Sequence, residues 1–145
     1  MASGLKLQDV ELNTYENQFK KAGSPLVGLV LKIITKNDRE KLIIEKTFKK
    51  EEYKHEDFVE AFPVKEGRIG LLKYSGTTDD GRPLRKVIIF LWTPLTSPPS
   101  ERMNYSSCFG TVRNELTGID MCLQCDDKSD ISFEKIESEV KSKFK

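Results

Sequence analysis

Apolar and polar residues alternate along the chain with two different periods, which divide it into predicted helices and strands. Apolar residues three or four positions apart indicate helices, and short runs rich in branched and aromatic residues indicate strands. This pattern predicts one α/β (α+β) domain, in which a mixed sheet packs between helices. The predicted helices cover residues 9–21, 51–62, 97–116 and 132–143. The predicted strands cover residues 26–35, 41–48, 68–74, 85–93 and 120–125.

Glycine, proline and short polar residues mark the boundaries of these elements. Gly23-Ser24-Pro25 ends the first helix, and Gly118 ends the long third helix. The polar segments 36–39 and 75–83 are predicted to connect strands, the first as a hairpin turn. Residues 87–92 are almost continuously apolar, which is typical of a central strand covered by helices on both faces. We expect a single domain over residues 1–145 because no linker or repeat interrupts this order.

Composition narrows the classes of function. Charged residues make up 32% of the chain and hydrophobic residues 37%, and the net charge is +1, so no overall field attracts nucleic acid or a membrane surface. Residues 1–4 do not begin a signal peptide, and no apolar run is long enough to span a membrane. The odd number of cysteines, three, suits a reducing compartment. We therefore expect a cytoplasmic protein that is monomeric and binds no nucleic acid.

Candidate catalytic residues are few. The only histidine, His55, lies in a charged helix and is predicted to be a solvated surface residue. The spacing of Cys122 and Cys125 occurs in redox and zinc sites. Residues three apart in a strand point to opposite faces, however, so the two sulfurs should diverge. A thiol oxidoreductase is the alternative that this pair leaves open. We expect no enzymatic activity, no cofactor and no metal.

The long helix carries the most informative pattern. Tyr105, Phe109, Val112 and Leu116 form one narrow apolar stripe, which should face the core. The opposite side has one large apolar residue, Met103, among polar ones. It also has Gly110, which makes the helix less stable by about 1 kcal/mol than alanine would. Glycine is useful there only if a partner must approach the helix backbone closely. A solvated helix and a partner-binding helix both fit this periodicity. The residues on that side are Arg102, Met103, Ser106, Gly110, Arg113 and Thr117.

Three segments of the chain match one known sequence pattern. Arg-Met-x-Tyr-Ser-Ser at 102–107, followed by Leu-Thr-Gly-Ile at 116–119, resembles the long actin-binding helix of the actin-depolymerising factor/cofilin family. Residues 89–94 resemble its strand ending in Trp-x-Pro, and residues 1–4 resemble the N-terminus of animal members. The resemblance covers essentially the whole chain in the right order. It implies the actin-depolymerising-factor-homology fold, a mixed sheet of about five strands between helices.

The resemblance also implies two actin-binding surfaces. Met103 would be an apolar anchor, and Arg102 and Arg113 would pair with acidic groups of actin. Lys86 matches a basic position of the family, and Arg82 and Arg85 are shifted substitutes. The implied monomer-binding residues are Ser3, Gly4, Leu5, Arg102, Met103, Ser106 and Arg113. The implied filament-binding residues are Arg82, Arg85, Lys86, Glu139 and Lys141.

The implied function is binding of actin monomers and filaments, with filament severing, depolymerisation and turnover. Ser3 is the position that the family phosphorylates, and a phosphate there would oppose docking by adding about −1.5 to −2 charges. Two alternatives share the fold, a coactosin-like filament side-binder and a glia-maturation-factor-like debrancher. The chain also departs from the family, because Ser100 and Phe109 replace common lysines and the basic clusters are reduced. Phosphoinositide binding is therefore expected to be weak at most.

Overall fold

A five-stranded mixed sheet forms the centre of the molecule, in a computed structural model that describes residues 9–21 and 23–144. The strand order is β2-β1-β3-β4-β5, and every pairing is antiparallel except the parallel pair β4–β5. The predicted mixed sheet is therefore confirmed. The strands are β1 (Leu26–Lys36), β2 (Arg39–Lys49), β3 (Arg68–Thr77), β4 (Pro83–Trp92) and β5 (Met121–Cys125).

Within the described part of the chain, four helices cover the sheet, as the apolar periodicity predicts. Helix α1 (Asp9–Thr14) continues directly into a π-helical segment, Tyr15–Lys20. The long helix α3 has proline in its first turn, where the ring fits without breaking the helix. In the described residues, no helix is both long enough and apolar enough to cross a membrane. The remaining helices are α2 (His55–Glu60), α3 (Pro99–Glu115) and α4 (Phe133–Lys143).

Side chains of β4 alternate between two separate core layers. Ile89 and Leu91 pack with residues of α1 and α3 on one face of the sheet. Phe90 and Trp92 pack with residues of α2 and α4 on the other face. The prediction that residues 87–92 form a strand covered on both faces is confirmed, since alternate side chains of a strand point to opposite sides.

Two boundaries differ from the sequence-based expectation. The helix predicted over 51–62 is interrupted, because Lys50–Glu52 forms a short 3-10 turn and Tyr53 is extended before α2 begins. The loop predicted over 75–83 is shorter than expected, because Thr77 pairs with Pro83 and extends both strands. The hairpin between β1 and β2 is confirmed.

His55 is not the solvated surface residue that the charged helix suggests. Its Nδ1 lies 2.5 Å from the hydroxyl of Tyr53, and its Nε2 lies 2.7 Å from the carbonyl oxygen of Ile131. A carbonyl can only accept, so Nε2 carries the donating hydrogen. The ring also packs edge-on against Phe133 at the start of α4. His55 therefore joins α2 to the segment before α4 as a structural residue.

Candidate functional site

The long helix α3 lies on the sheet with the predicted stripe inward. Tyr105, Phe109, Val112 and Leu116 are all buried, so the predicted core face is confirmed. Cys108 is buried beside them and contributes to the same core layer. The opposite side of α3 is consequently held at the surface as a fixed, regular array of side chains.

Three polar contacts hold the first half of α3 against the sheet. The backbone N–H of Ile33 donates to the Tyr105 hydroxyl at 2.9 Å. The backbone N–H of Gly67 donates to the Glu101 carboxylate at 2.6 Å. The Asn104 side-chain amide donates to Glu40 at 2.6 Å. These contacts reach β1, β2 and the segment before β3, so they fix the position of the exposed side of α3.

Residue 67 must be glycine because its backbone lies directly against the ring of Tyr105. A Cβ placed at Gly67 would lie 2.4 Å from a ring carbon of Tyr105, closer than any real contact. Sequence reasoning missed this pair, since the two residues are far apart in the chain. One sequence signal was available. Gly67 directly precedes a predicted strand, and glycine at a strand can indicate that another group approaches the backbone closely.

A buried guanidinium lies beneath the same region. Arg68 is 4% exposed, and its Nε donates to Glu45 at 2.9 Å while one terminal nitrogen donates to Glu66 at 3.1 Å. Burial alone would lower the pKa of Arg68, but its hydrogen bonds to both carboxylates and the charge of Glu45 outweigh burial and raise the pKa. Arg68 therefore remains charged as a bridge between β2 and β3.

The outer side of α3 presents one exposed apolar residue between cations. Met103 is 71% exposed, Arg102 is half-buried, and Ser106 and Arg113 are exposed. A Cβ at Gly110 would meet nothing within 4 Å, so the helix backbone is open there. We call these five residues the α3 face. The four predicted site residues of α3 are thus brought together, whereas Ser3, Gly4 and Leu5 lie outside the described residues.

Next to the α3 face is a concavity of about 640 Å³. It lies between the first half of α3 and β1, with Met103 on one wall and Ile33 on the other. Its lining combines apolar side chains with the carboxylates of Glu40 and Glu101. A partner that packs on Met103 could place a further side chain in this space. By contrast Thr117, at the end of the same side, is occupied by contacts to Lys20 and Glu16.

The second set of predicted residues is only partly brought together. Arg82 and Lys141 line one cleft of about 580 Å³ between the turn after β3 and helix α4. The ammonium of Lys86 lies 4.2 Å from the ring centroid of Phe144, which lines that cleft. We call this the Arg82–Lys141 cleft. Arg82 also pairs with Asp80 at 3.0 Å.

Arg85 and Glu139 lie apart from the Arg82–Lys141 cleft. Arg85 precedes Lys86 in β4, so its side chain leaves the opposite face of the sheet. It lines another cleft together with Lys73, and Lys86 lines that cleft as well. Glu139 pairs with Lys135 at 3.1 Å along α4. The alternation of side chains along β4 was the sequence signal that could have separated Arg85 from Lys86.

The two sulfurs of the cysteine pair lie on opposite sides of the sheet, which does not suit redox chemistry between them. Cys122 packs with the core layer of α1 and α3, whereas Cys125 is buried in the layer of α2 and α4, so the predicted divergence is confirmed. Burial, with Asp130 and Asp126 nearby, raises the pKa of Cys125 to about 12. Burial likewise raises the pKa of Cys108 to about 11. A reactive thiol needs a lowered pKa, so neither group suits a nucleophile at neutral pH.

Comparison with known proteins matches this chain to actin-binding proteins. The family model described as cofilin/tropomyosin-type actin-binding protein matches residues 4–141. An actin-depolymerizing factor of Brassica napus is 30% identical over 106 residues, which cover 73% of this chain and 83% of the relative. An actophorin of Entamoeba histolytica is 28% identical over 141 residues, which cover 97% of each chain.

Solved structures share the fold. The crystal structure of Streptomyces griseoflavus cofilin has a TM-score of 0.82 at 22% identity, covering 96% of this chain and 98% of that one. Human coactosin-like protein has a TM-score of 0.77 at 11% identity, covering 98% of this chain and 92% of that one. Glia maturation factor of Caenorhabditis elegans has a TM-score of 0.69 at 22% identity, covering 93% of this chain and 94% of that one. At these identities the likeness shows a common fold.

Proposed function

The chain belongs to the cofilin/tropomyosin-type family of actin-binding proteins, and we propose that it binds both actin monomers and actin filaments and promotes filament severing, depolymerisation and turnover. The observation that carries this proposal is the α3 face, where Met103 stands exposed between cations on a helix fixed to the sheet. The names of the relatives, actin-depolymerizing factor and actophorin, support the same reading.

Monomer binding is assigned to the α3 face. Protein interfaces combine an apolar anchor at the centre with charged groups around it. Met103 supplies the anchor, and Arg102 and Arg113 supply charges for carboxylates of actin. Gly110 lets a partner approach the helix backbone directly. Ser3, Gly4 and Leu5 are proposed to extend this surface.

Filament binding is assigned to the Arg82–Lys141 cleft. Arg82, Lys86 and Lys141 lie near one another there, on elements remote in the sequence. Arg85 would contribute from the other face of β4, and Glu139 from α4. A monomeric protein needs two separate surfaces to contact two neighbouring actin subunits at once, and these two groups of residues provide them.

We further propose that the protein acts by binding alone, as a cytoplasmic monomer associated with the actin cytoskeleton. The raised pKa values of Cys108 and Cys125 and the divergence of Cys122 and Cys125 support a non-catalytic role over a thiol oxidoreductase. Phosphorylation of Ser3 would oppose monomer binding. Phosphoinositide binding through α3 and α4 is proposed to be weak, because the basic clusters there are reduced.

High-speed co-sedimentation with pure actin filaments tests the proposal. Both actin and this protein are measured in pellet and supernatant as the protein concentration rises. The proposal predicts that actin moves to the supernatant while some of the protein pellets. Severing is then measured separately, by counting filament breaks under a fluorescence microscope.

The same experiment separates the two alternatives of the same fold. Protein that pellets without moving actin would be a side-binder of the coactosin kind. Protein that neither pellets nor moves actin would contradict both readings and make the branching complex the next partner to test, as for a glia-maturation-factor-like debrancher. The fold likeness to human coactosin-like protein and to the nematode glia maturation factor makes both comparisons necessary.

A further inference from the structure

One threonine side chain connects the end of α3 to the π-helical continuation of α1. The Thr117 hydroxyl donates to the Glu16 carboxylate at 3.1 Å and accepts from the ammonium of Lys20. A hydroxyl has one hydrogen to donate and lone pairs that accept, so this group fills both roles at once. Glu16 and Lys20 also pair with each other at 3.6 Å, so each of the three groups contacts the other two. We call Glu16, Lys20 and Thr117 the α1–α3 junction.

The backbone at Thr117 is held by separate contacts. The Tyr15 hydroxyl donates to the carbonyl oxygen of Thr117 at 2.6 Å. Gly118 has a φ of 82°, a left-handed conformation that glycine adopts without strain. A Cβ at Gly118 would lie 2.8 Å from Cε of Lys20, so the chain passes directly beside that side chain. Both the backbone and the side chain of Thr117 are therefore fixed against the π-helical segment.

The π-helical geometry of Tyr15–Lys20 aims three side chains at Thr117. A π-helix joins residues five apart by hydrogen bonds, so Tyr15 and Lys20 lie close to one side of it. In an α-helix, residues five apart are separated by about 140° around the axis. Tyr15, Glu16 and Lys20 reach α3 together because this segment is π-helical. Such segments are frequent at functional sites.

The α1–α3 junction sets the place from which the N-terminal segment starts. Leu12 and Phe19 pack in the same core layer as α3, but apolar packing has no preferred direction, whereas hydrogen bonds do. Ser3 lies six residues before the start of α1, so the two are at most about 20–22 Å apart. The α3 face spans residues 102–113, a length of about 17 Å. The position of α1 therefore decides which part of the α3 face this segment can reach.

We propose that Thr117 is a positioning residue for the binding of actin monomers. It holds α1 at the end of α3, so that the segment with Ser3, Gly4 and Leu5 joins the α3 face in one surface. This inference rests on the proposed function, which assigns both groups of residues to the monomer. Thr117 acts through Glu16 and Lys20 and needs no contact with actin itself.

A double-mutant cycle of the full chain with monomeric actin tests the proposal. Thr117→Val removes the hydroxyl but keeps the branched shape, and should raise the Kd about fivefold. Ser3→Glu should raise the Kd of the unmodified chain, and in the Thr117→Val chain its factor should be at least about threefold smaller. A direct contact between Thr117 and actin would leave the Ser3→Glu factor unchanged and would overturn the proposal. No effect of Ser3→Glu in the unmodified chain would overturn it as well.

Thr14→Val is the matched control, and Thr117→Ser tests rescue. Thr14→Val exchanges the same groups, but the Thr14 hydroxyl donates to the Val10 carbonyl at 3.0 Å, within α1. Serine keeps the donor and the acceptor of the hydroxyl at position 117. Both variants should bind actin monomers within about twofold of the unmodified chain. A loss in either variant as large as in Thr117→Val would contradict the role given to the Thr117 hydroxyl.

Amide hydrogen exchange of the free protein tests the α1–α3 junction without actin. Amides of residues 9–20 should exchange about tenfold faster in Thr117→Val, because local opening of this helix becomes easier when a hydrogen bond to a charged group is lost. Thermal unfolding checks that each variant is folded. Unchanged exchange over residues 9–20 would overturn the proposal. Failure of the unmodified chain to bind actin monomers would instead contradict the proposed function.

Discussion

The hydroxyl of Tyr105 on α3 accepts a hydrogen bond at 2.9 Å from the backbone nitrogen of Ile33 in β1. Strand β1 pairs with β3 only from Gly28 to Leu31, so this N–H lies beyond the reach of β3. Tyr105 thus supplies the acceptor that a neighbouring strand would otherwise provide. The contact ties the helix that carries the α3 face directly to the sheet.

Replacement of Tyr105 by phenylalanine should destabilise the fold. The ring is retained, but the half-buried N–H of Ile33 loses its acceptor. The cost is at most the about 1–3 kcal/mol that is typical of a buried donor left unsatisfied. Urea unfolding should show this as a lower midpoint with an unchanged slope. Tyr74→Phe is the control, because Tyr74 is also buried but its hydroxyl lies 3.5 Å from Glu137. A loss as large in Tyr74→Phe would contradict the role given to the Ile33 contact.

Truncation of Met103 should weaken actin binding without affecting stability. Met103→Ala removes an exposed apolar anchor, and such anchors typically contribute about 1–2 kcal/mol or more to an interface. The Kd for monomeric actin should therefore rise about tenfold, while the free energy of unfolding stays within about 0.5 kcal/mol. Fluorescence titration with labelled actin monomers measures the first quantity, and urea unfolding the second.

Leu95→Ala is the matched control for Met103→Ala. Leu95 is 70% exposed, almost the same as Met103 at 71%, but it lies in the loop before α3. Its replacement removes similar apolar surface away from the α3 face. Equal loss of actin affinity in both variants would mean that general surface hydrophobicity, rather than the α3 face, governs binding.

A negative charge at Ser3 should weaken monomer binding. Ser3→Glu places a carboxylate where the family resemblance implies a regulatory phosphate, and repulsion from acidic groups on actin would oppose docking. Ser3→Ala is the control for loss of the hydroxyl. The same fluorescence titration applies, and unchanged affinity in Ser3→Glu would remove Ser3 from the binding surface.

The elements of the fold could be predicted because their signals are local. Helical spacing identifies the buried face of Tyr105, Phe109 and Val112, and strand alternation separates Cys122 from Cys125. Contacts between distant segments leave no such local signal. His55 is surrounded in sequence by charges, yet its partner is the carbonyl of Ile131, which follows 76 positions later.

The candidate site could be predicted in part for the same reason. Arg102, Met103, Ser106 and Arg113 share one helix, so periodicity alone places them on one face. Arg82 and Lys141 meet only because β4 and α4 pack together.

The folded protein should become less stable in alkaline solution because two buried cysteine thiols stay protonated in the folded state. Burial raises the pKa of Cys108 to about 11 and that of Cys125 to about 12, from the ordinary 9.0. Above pH 9 the unfolded chain loses these protons while the folded chain keeps them. The stabilisation is therefore complete below about pH 9 and is lost as the pH rises through the folded pKa values.

Urea unfolding at fixed ionic strength between pH 7.5 and pH 10.5 measures this loss. Each thiol contributes a slope of at most about 1.4 kcal/mol per pH unit, the value for one proton. Cys125→Ala should make the slope above pH 9 shallower, whatever its effect on stability at neutral pH. Burial also raises the pKa of Tyr105 to about 12, which steepens the slope above pH 10. Equal slopes in Cys125→Ala and the unmodified chain would contradict the burial effect.

Gly110→Ala should raise stability and lower actin affinity together. Glycine inside a helix is less favourable than alanine by about 1 kcal/mol, and nothing within 4 Å would obstruct the added methyl group. Replacement should therefore stabilise the free protein by that amount. If actin approaches the bare backbone at Gly110, the same methyl group would intrude between the two surfaces and raise the Kd. Because the variant is the more stable protein, its weaker binding could not be attributed to unfolding. Higher stability with unchanged affinity in the actin titration would mean that the interface does not reach this turn of α3, and would confine the α3 face to its first half around Met103.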